Sequence, residues 1–268
     1  MSLAGVAKET LEIIERGSYV APSGATVSIR EQVDRAIDGT VTFRPGELAL
    51  VAVPGPPPRV EVTDEKTGAA SRRLVESERL SDVAALNFAS ARNPGGGFLG
   101  GAKAQEEDLA RCSALYPCLE PQRIYYEENR RTESLIYTEH LIWSPAVPFF
   151  RDERLDLLER PFLLSVVTAP APNAGEELRR RPDAGSEIRE ALTRRARLVL
   201  AAAIRFQHRV LVLGAWGCGV FRNDPVEVAE AFGAALDVVP GAFDRVVFAV
   251  WERGGEGPNL RAFRKRFG

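Results

Sequence analysis

The order of apolar runs in this 268-residue chain predicts an α/β fold, a mixed and mostly parallel central sheet flanked by helices on both faces. Three observations carry the prediction. From residue 59 onward, short apolar runs suited to buried strands alternate with stretches of helical periodicity. Glycine-rich segments at 93–101 and 214–219 each follow such a strand-like run. The composition, 45% hydrophobic and 27% charged, supplies enough apolar material for one large core.

Taken in order, the first helix is predicted over 3–16, where Leu3, Val6, Leu11, Ile13 and Ile14 form an approximate stripe. Short strands are expected at 25–29 (ATVSI) and 40–43 (TVTF), with REQVDRAID between them as a helix. VPGPPPR, at 53–59, is a stiff spacer that suits neither a helix nor a central strand. The segment before it is too short for an independent core. Residues 1–58 are therefore expected as an N-terminal extension packed on a main domain of residues 59–268. In that domain a helix is predicted at about 66–77, then a buried strand DVAALNFA at 82–89. The first glycine loop follows, and a helix from about 104 to 115. IYTEHLIWS (136–144) and FLLSVVTA (162–169) are strand candidates. SEIREALTRRARLVLAAAIRFQ (186–207) is the longest helix, with Ile188, Leu192, Val199 and Ala203 on its inner face and its arginines mostly outside. Strand RVLVLGAW, helix DPVEVAEAFGAALDVV, strand DRVVFAVWE and a helix near 258–267 complete the order.

Charge narrows the partners. Lys plus Arg number 35 against 37 Asp plus Glu, a formal net charge of −2. A protein that coats nucleic acid carries a basic excess, so no direct nucleic-acid partner is expected and any anion must be held by placed groups. Three cysteines (Cys112, Cys118, Cys218) and two histidines (His140, His208) show no CxxC and no zinc-ligand spacing. Neither a metal nor a disulfide scaffold is expected, and a reducing compartment fits. The N-terminal MSLAGVAKETLEIIERGSY is amphipathic and carries acids, unlike a signal peptide. No apolar run approaches the roughly 20 residues that span a bilayer. A soluble, cytoplasmic, monomeric protein without a membrane partner is the expectation.

In a sheet of this kind the ligand lies outside the carboxyl ends of the strands, where both glycine segments fall. NPGGGFLGGAKAQEED (93–108) contains GxGxxG at Gly95, Gly97 and Gly100. The match to a dinucleotide-binding turn is weak. The strand before it ends near Ala89, and the acid required about 20 residues later falls at Glu120, in irregular YPCLEP. No Gly-Lys-Ser/Thr is present, which excludes a P-loop. Glycines this dense imply positive φ angles or a ligand pressed against the backbone; a disordered surface loop is the plainer alternative. GAWGCGVFRND (214–224) frees the backbone at Gly214, Gly217 and Gly219. DPVE then opens a helix, with Asp224 as N-cap, Pro225 at the first position and Glu227 as capping-box partner. Such a segment is a natural diphosphate cradle that needs no cationic side chain, against the alternative of a plain strand-to-helix turn.

QEED (105–108) occupies the first turn of its helix, where acids complement the helix dipole. A well-capped helix is the commoner explanation, but the glycine loop sets these carboxylates at the mouth of the same cleft. Cys218 reads as small-residue packing in preference to a nucleophile, because neither histidine is nominated as its base. His140 reads as a core or edge histidine within its strand, and LRRRP (178–182) as a solvated arginine run.

On these residues the chain resembles the poly(ADP-ribose) glycohydrolases, whose signature is matched by GGGFLGGAKAQEE, Gly95 to Glu107: three glycines, a spacer, then Gln-Glu-Glu. NFASARNP before it is similar to the bacterial-type branch, in which the catalytic unit is a macrodomain with an N-terminal extension. Together with GAWGCGVFRND the likeness covers roughly residues 60 to 268. It implies that Glu107 is the catalytic acid/base and that Glu106 positions the ribose hydroxyl beside the scissile bond. Asn93, Gly95, Gly96 and Gly97 would surround the distal ribose, with Gln105 a further substrate-binding candidate. Gly217, Cys218, Gly219, Val220 and Phe221 would form the diphosphate loop, Phe221 packed near that ribose. The adenine pocket has no readable motif. The implied partners are ADP-ribose and poly(ADP-ribose), including poly(ADP-ribosyl)ated proteins, with no cofactor.

The reaction so implied is hydrolysis of the ribose–ribose O-glycosidic bond, through an oxocarbenium-like ion. Adjacent glutamates cannot stand on opposite faces of a sugar ring, so one acid must serve both steps. A helix N-terminus favours the ionised carboxylate; desolvation, a like-charged neighbour and the ligand's phosphates oppose it. Two other readings stand beside this one: a macrodomain that only binds ADP-ribose, and a hydrolase of single ADP-ribose units on proteins.

Overall fold

In the computed structural model, which describes residues 2–268, seven strands form one sheet and helices cover both its faces. The chain opens with α1 (Leu3–Arg16), which buries Val6, Ile13 and Ile14 and is ended by Gly17 in the left-handed conformation, φ +71°. A small hairpin of β1 (Ser18–Val20) and β2 (Thr26–Ser28) leads to α2 (Arg30–Asp38) and β3 (Val41–Phe43). The proline-rich spacer crosses to β4 (Arg59–Thr63). Then α3 (Thr67–Arg72) runs on as a π turn over Arg73–Ser77 into β5 (Val83–Phe88). Past the first glycine loop come α4 (Gln105–Cys112), α5 (Leu115–Leu119) and α6 (Arg123–Arg131). A long hairpin of β6 (Leu141–Arg151) and β7 (Leu157–Ala169) precedes α7 (Ala174–Arg180) and α8 (Gly185–Arg205). The chain ends with β8 (Val210–Leu213), α9 (Pro225–Leu236), β9 (Arg245–Ala249) and α10 (Pro258–Phe267).

The sheet order is β3-β6-β7-β5-β8-β9-β4. From β7 to β4 every pairing is parallel, while β6 is antiparallel to both of its neighbours. This is the mixed, mostly parallel sheet that the element order predicts. From β5 the chain proceeds to β7 on one side and returns to β8 on the other, which opens a crevice at their carboxyl ends. Alternation along the strands sorts the core. Ala84, Leu86, Leu211 and Leu213 face the layer of α8, α9 and α10, while Val83, Ala85, Val210 and Val212 face α1 to α5.

Several elements differ from expectation for identifiable reasons. The strand expected from residue 136 begins at Leu141 and runs on to Arg151. Residues 137–140 turn instead: Asn129 Oδ1 accepts from Thr138 N and Oγ1, and Tyr137 has φ +64°. His140 therefore precedes the strand, buried, with Nδ1 2.8 Å from Thr138 Oγ1. Pro145 and Pro148 are tolerated because β6 bulges between Ser144 and Val147, where Ala146 N donates to Ser165 Oγ. The helix expected from 104 to 115 breaks after Cys112, since Ser113 is extended and its hydroxyl donates to Leu109 O. Glu227 is not a capping-box partner; it pairs with Arg189 at 3.4 Å, and Asp224 alone caps α9 through Val226 N. The arginine run closes α7, where Arg179 and Arg180 share Glu176.

Candidate active site

The first turn of α4 carries two acids of unequal surroundings. The helix starts after Ala104, in extended conformation, without a side-chain cap. Gln105 ties it to the sheet: its amide oxygen accepts from Phe88 N at 2.8 Å, and its nitrogen donates to Leu86 O and Thr67 Oγ1. With both amide hydrogens engaged, Gln105 fixes α4 at the carboxyl end of β5. Glu106 is 2% exposed, and both its oxygens are engaged, by Asn87 Nδ2 at 3.1 Å and Ser90 N at 2.6 Å. Glu107 is 8% exposed; its Oε1 accepts from Gly97 N at 2.9 Å, and its buried Oε2 has no partner in the protein.

Burial decides the protonation of Glu106. Desolvation pushes its carboxyl up to about 8 and outweighs the donors on Ser90, Asn87 and Gly95, with the Glu107 charge adding to the rise. The dipole of a short first turn does not hold this acid ionised.

The glycine loop explains itself against these acids. Gly96 lies at φ +60°, and a Cβ there would stand 3.0 Å from Glu107 Cδ and 3.1 Å from Glu106 Oε2. The backbone is pressed against both carboxylates, and only a residue without a side chain fits. Gly95, at φ +63°, is turned the other way, towards Tyr116 and Phe98. From behind, Arg111, fully buried, donates to Ala102 O and pairs with Asp108 at 2.8 Å, linking the end of the loop to α4.

The second glycine segment follows β8, the strand beside β5. Trp216 Nε1 donates to Ala169 O and Asn223 Nδ2 to Pro172 O and Gly217 O, so the loop is anchored at both ends. Between the anchors, the N–H groups of Gly217, Gly219, Val220 and Phe221 have no acceptor among the described residues. They lead into the N-terminus of α9, and together make a row of free donors suited to an anion. The expected positive φ occurs at Gly217 (+71°) but not at Gly219. A Cβ at Gly217 would lie 2.5 Å from Ala171 Cβ and Asn223 Nδ2, whereas one at Gly219 meets nothing within 4 Å.

Both loops and α4 border a single cleft of about 580 Å³. Of the expected residues, Asn93, Gly96, Gly97, Gln105, Glu106, Glu107, Gly217, Gly219, Val220 and Phe221 line it. Gly95 and Cys218 do not: Gly95 is buried beneath the loop, and the half-buried Cys218 packs on the core with its thiol pushed up by burial. Sequence reasoning missed the other end of the cleft. There Lys66, Thr67, Phe88, Trp251 and Asn259 contribute, with Trp251 52% exposed and Lys66 Nζ 5.3 Å above its ring. A tryptophan just past the carboxyl end of β9 was the available signal. Among the described residues no three His, Cys, Asp or Glu side chains gather as a metal site requires. No helix among them is long and apolar enough to cross a membrane.

The whole chain is similar to known proteins. The family model described as "Microbial-type PARG, catalytic domain" matches residues 7–152. No curated protein matches the chain. Among solved structures, the poly(ADP-ribose) glycohydrolase of Thermomonospora curvata is 48% identical with a TM-score of 0.91, covering 99% of each chain. The same enzyme bound to the inhibitor ADP-HPD gives 46% and 0.88. The poly(ADP-ribose) glycohydrolase of Deinococcus radiodurans in complex with ADP-ribose is 46% identical with a TM-score of 0.81, covering 87% of this chain and 96% of that one.

Proposed function

The chain belongs to the microbial-type poly(ADP-ribose) glycohydrolase family, and from that premise we propose that it hydrolyses the ribose–ribose bonds of poly(ADP-ribose) and releases ADP-ribose, with Glu107 as the acid/base. One observation carries the assignment of roles: Glu107 Oε2 is buried at the cleft without a partner, while both oxygens of Glu106 are engaged. A group that must give up and recover a proton needs a free oxygen, and Glu107 has one. Glu106 is held rigidly and suits the positioning of a ribose hydroxyl. Burial, with the neighbouring Glu107 charge adding to it, raises the Glu106 carboxyl to about 8 and keeps it protonated near neutral pH.

Protonated Glu107 donates to the leaving ribose oxygen as the C–O bond breaks, and the electron pair departs with that oxygen. The distal ribose becomes an oxocarbenium-like ion. Ionised Glu107 then takes a proton from water, whose oxygen bonds to the anomeric carbon, and Glu107 is returned protonated. The free N–H row of 217–221 suits the diphosphate, whose negative charge stabilises the neighbouring cation. Phe221 lines the cleft where it would steady the distal ribose, and the exposed indole of Trp251 offers the adenine a flat face.

The test is turnover of purified polymer and of a mono-ADP-ribosylated protein, side by side. Glu107→Gln keeps shape but loses the exchangeable proton. General acid–base catalysis is worth about 10²–10⁴-fold, so polymer hydrolysis should fall at least that far while ADP-ribose affinity, followed by calorimetry, changes little. Near-parental hydrolysis by folded Glu107→Gln would reject the mechanism. Turnover of the mono-modified protein alone would replace the polymer as substrate.

A further inference from the structure

Poly(ADP-ribose) hydrolysis, the reading on which this inference rests, leaves one half of the substrate unaccounted for. With the terminal unit in the cleft on that reading, and its distal ribose beside Asn93 and Phe221, the unit beyond the scissile bond would emerge on their side. Four separate segments meet on that side. Tyr137 packs its ring against Phe221, 6.2 Å between centroids. Its φ of +64° is unusual for so bulky a residue, and it is held in place. Arg195, 2% exposed, donates to the carbonyls of Tyr137 (2.8 Å), Ile136 (2.5 Å) and Pro170 (2.9 Å). The half-buried phenol of Tyr137 has the charges of Arg92, Arg180 and Glu177 near it. Arg92 immediately precedes Asn93 of the cleft, and Arg130 donates to its carbonyl at 2.5 Å. Arg222 immediately follows Phe221 and lies against Gly175, whose N–H donates to Phe221 O.

The charge of this rim is unbalanced. Arg92, Arg130 and Arg222 are exposed, and none of the ion pairs among the described residues includes their guanidinium groups. Several nearby acids are already matched, Glu128 with Arg131, Glu176 with Arg179 and Arg180, and Glu177 with Arg181 and Leu135 N, while Glu127 and Glu133 on either side of Arg130 are in no ion pair among the described residues. Arg92 with Arg130 flank Asn93 and Arg222 flanks Phe221, so in a chain of net charge −2 three unpaired arginines stand next to two residues that line the cleft. We propose that this rim is a second binding subsite, in which Arg92, Arg130 and Arg222 hold the diphosphate of the leaving ADP-ribose unit and Tyr137 supports its adenosine. It gives the enzyme a physical preference for polymer over substrates whose leaving group carries no diphosphate.

Two substrates that share the scissile bond test it: an ADP-ribose dimer, whose leaving group is ADP-ribose, and a shortened analogue whose leaving group is adenosine. Exposed ion contacts are worth about two- to fivefold each and are screened by salt. The parent enzyme should favour the dimer by roughly tenfold in kcat/KM at low salt, and the preference should vanish at high salt. Arg92→Gln/Arg130→Gln should remove it while leaving the rate on the shortened analogue and the affinity for free ADP-ribose unchanged. Equal rates of the parent on both substrates, or a preference that survives both the double substitution and salt, would overturn the subsite alone. Cleavage of neither substrate by the parent would remove the parent reading as well, so the two failures are distinguishable.

Discussion

At residue scale, the pairing of a glycine with two glutamates is the feature most legible in the sequence. GGG followed by QEE is a local pattern, and the geometry behind it is local too: Gly96 needs no Cβ because Glu106 and Glu107 stand against it. The unequal surroundings of the glutamates were not legible from residue type, since they depend on Asn87 and Ser90 from β5 and the turn beyond it. Burial of Glu106 has a measurable consequence. Its folded pKa of about 8 lies above the ordinary 4.5, so between those values the folded chain keeps a proton that the unfolded chain has lost. Its contribution to stability is complete below about pH 4.5, declines as pH rises, and is fully lost above about 8. Glu106→Gln removes that titration. The melting temperature of the parent should therefore fall more between pH 5 and 8.5 than that of the variant, the two curves diverging steadily with pH. Parallel curves would mean that Glu106 is ionised in the folded protein at neutral pH.

At the scale of elements, strands and helices with strong periodicity were readable, and errors fell where tertiary contacts override local pattern. The bulge at Pro145 extends β6 through a stretch whose prolines argue against a strand, because Ser165 on β7 accepts the freed N–H of Ala146. The part of the cleft lined by Lys66, Trp251 and Asn259 left no motif, since these come from three distant elements. In the loop of residues 214–224 the two glycines divide their work in a way that spacing alone does not show. Gly217 serves the fold, with a positive φ and no room for a Cβ, whereas Gly219 opens into the cleft. Gly217→Val should lower stability by at least 1–2 kcal/mol, the cost of a side chain in the left-handed region, before its overlaps are counted. Gly219→Val should fold normally and bind ADP-ribose about tenfold more weakly, since about 1.4 kcal/mol of lost contact gives that factor. Thermal melts and calorimetry of the two variants separate these effects. Unchanged affinity in folded Gly219→Val would move the diphosphate away from this loop.

At the scale of the whole molecule, the question is whether residues 1–58 are an appendage or part of one cooperative structure. Their contacts reach both sides of the sheet. Thr10 Oγ1 donates to Arg111 O at 2.8 Å and accepts from Arg151 Nε, and Glu9 pairs with Arg151 at 2.7 Å, so α1 braces the helix that carries the glutamates. β3 supplies the edge strand beside β6, and the spacer is fastened to the far side where Gly241 N donates to Val53 O. Removing the segment would expose the edge of β6, take Glu9 and Thr10 from the buried Arg151 guanidinium, and leave the carbonyl of Arg111 without the Thr10 hydroxyl. We therefore expect the chain to unfold in a single transition, with a ratio of calorimetric to van't Hoff enthalpy of about 1. ADP-ribose at a hundredfold excess over its Kd adds about 2.7 kcal/mol. For a chain of this size that should raise the whole transition by roughly 5–8 °C. Differential scanning calorimetry with and without ligand measures both quantities. Two resolved transitions, with only the upper one moved by ADP-ribose, would show that the extension folds apart from the cleft, and that α4 holds its carboxylates without help from α1.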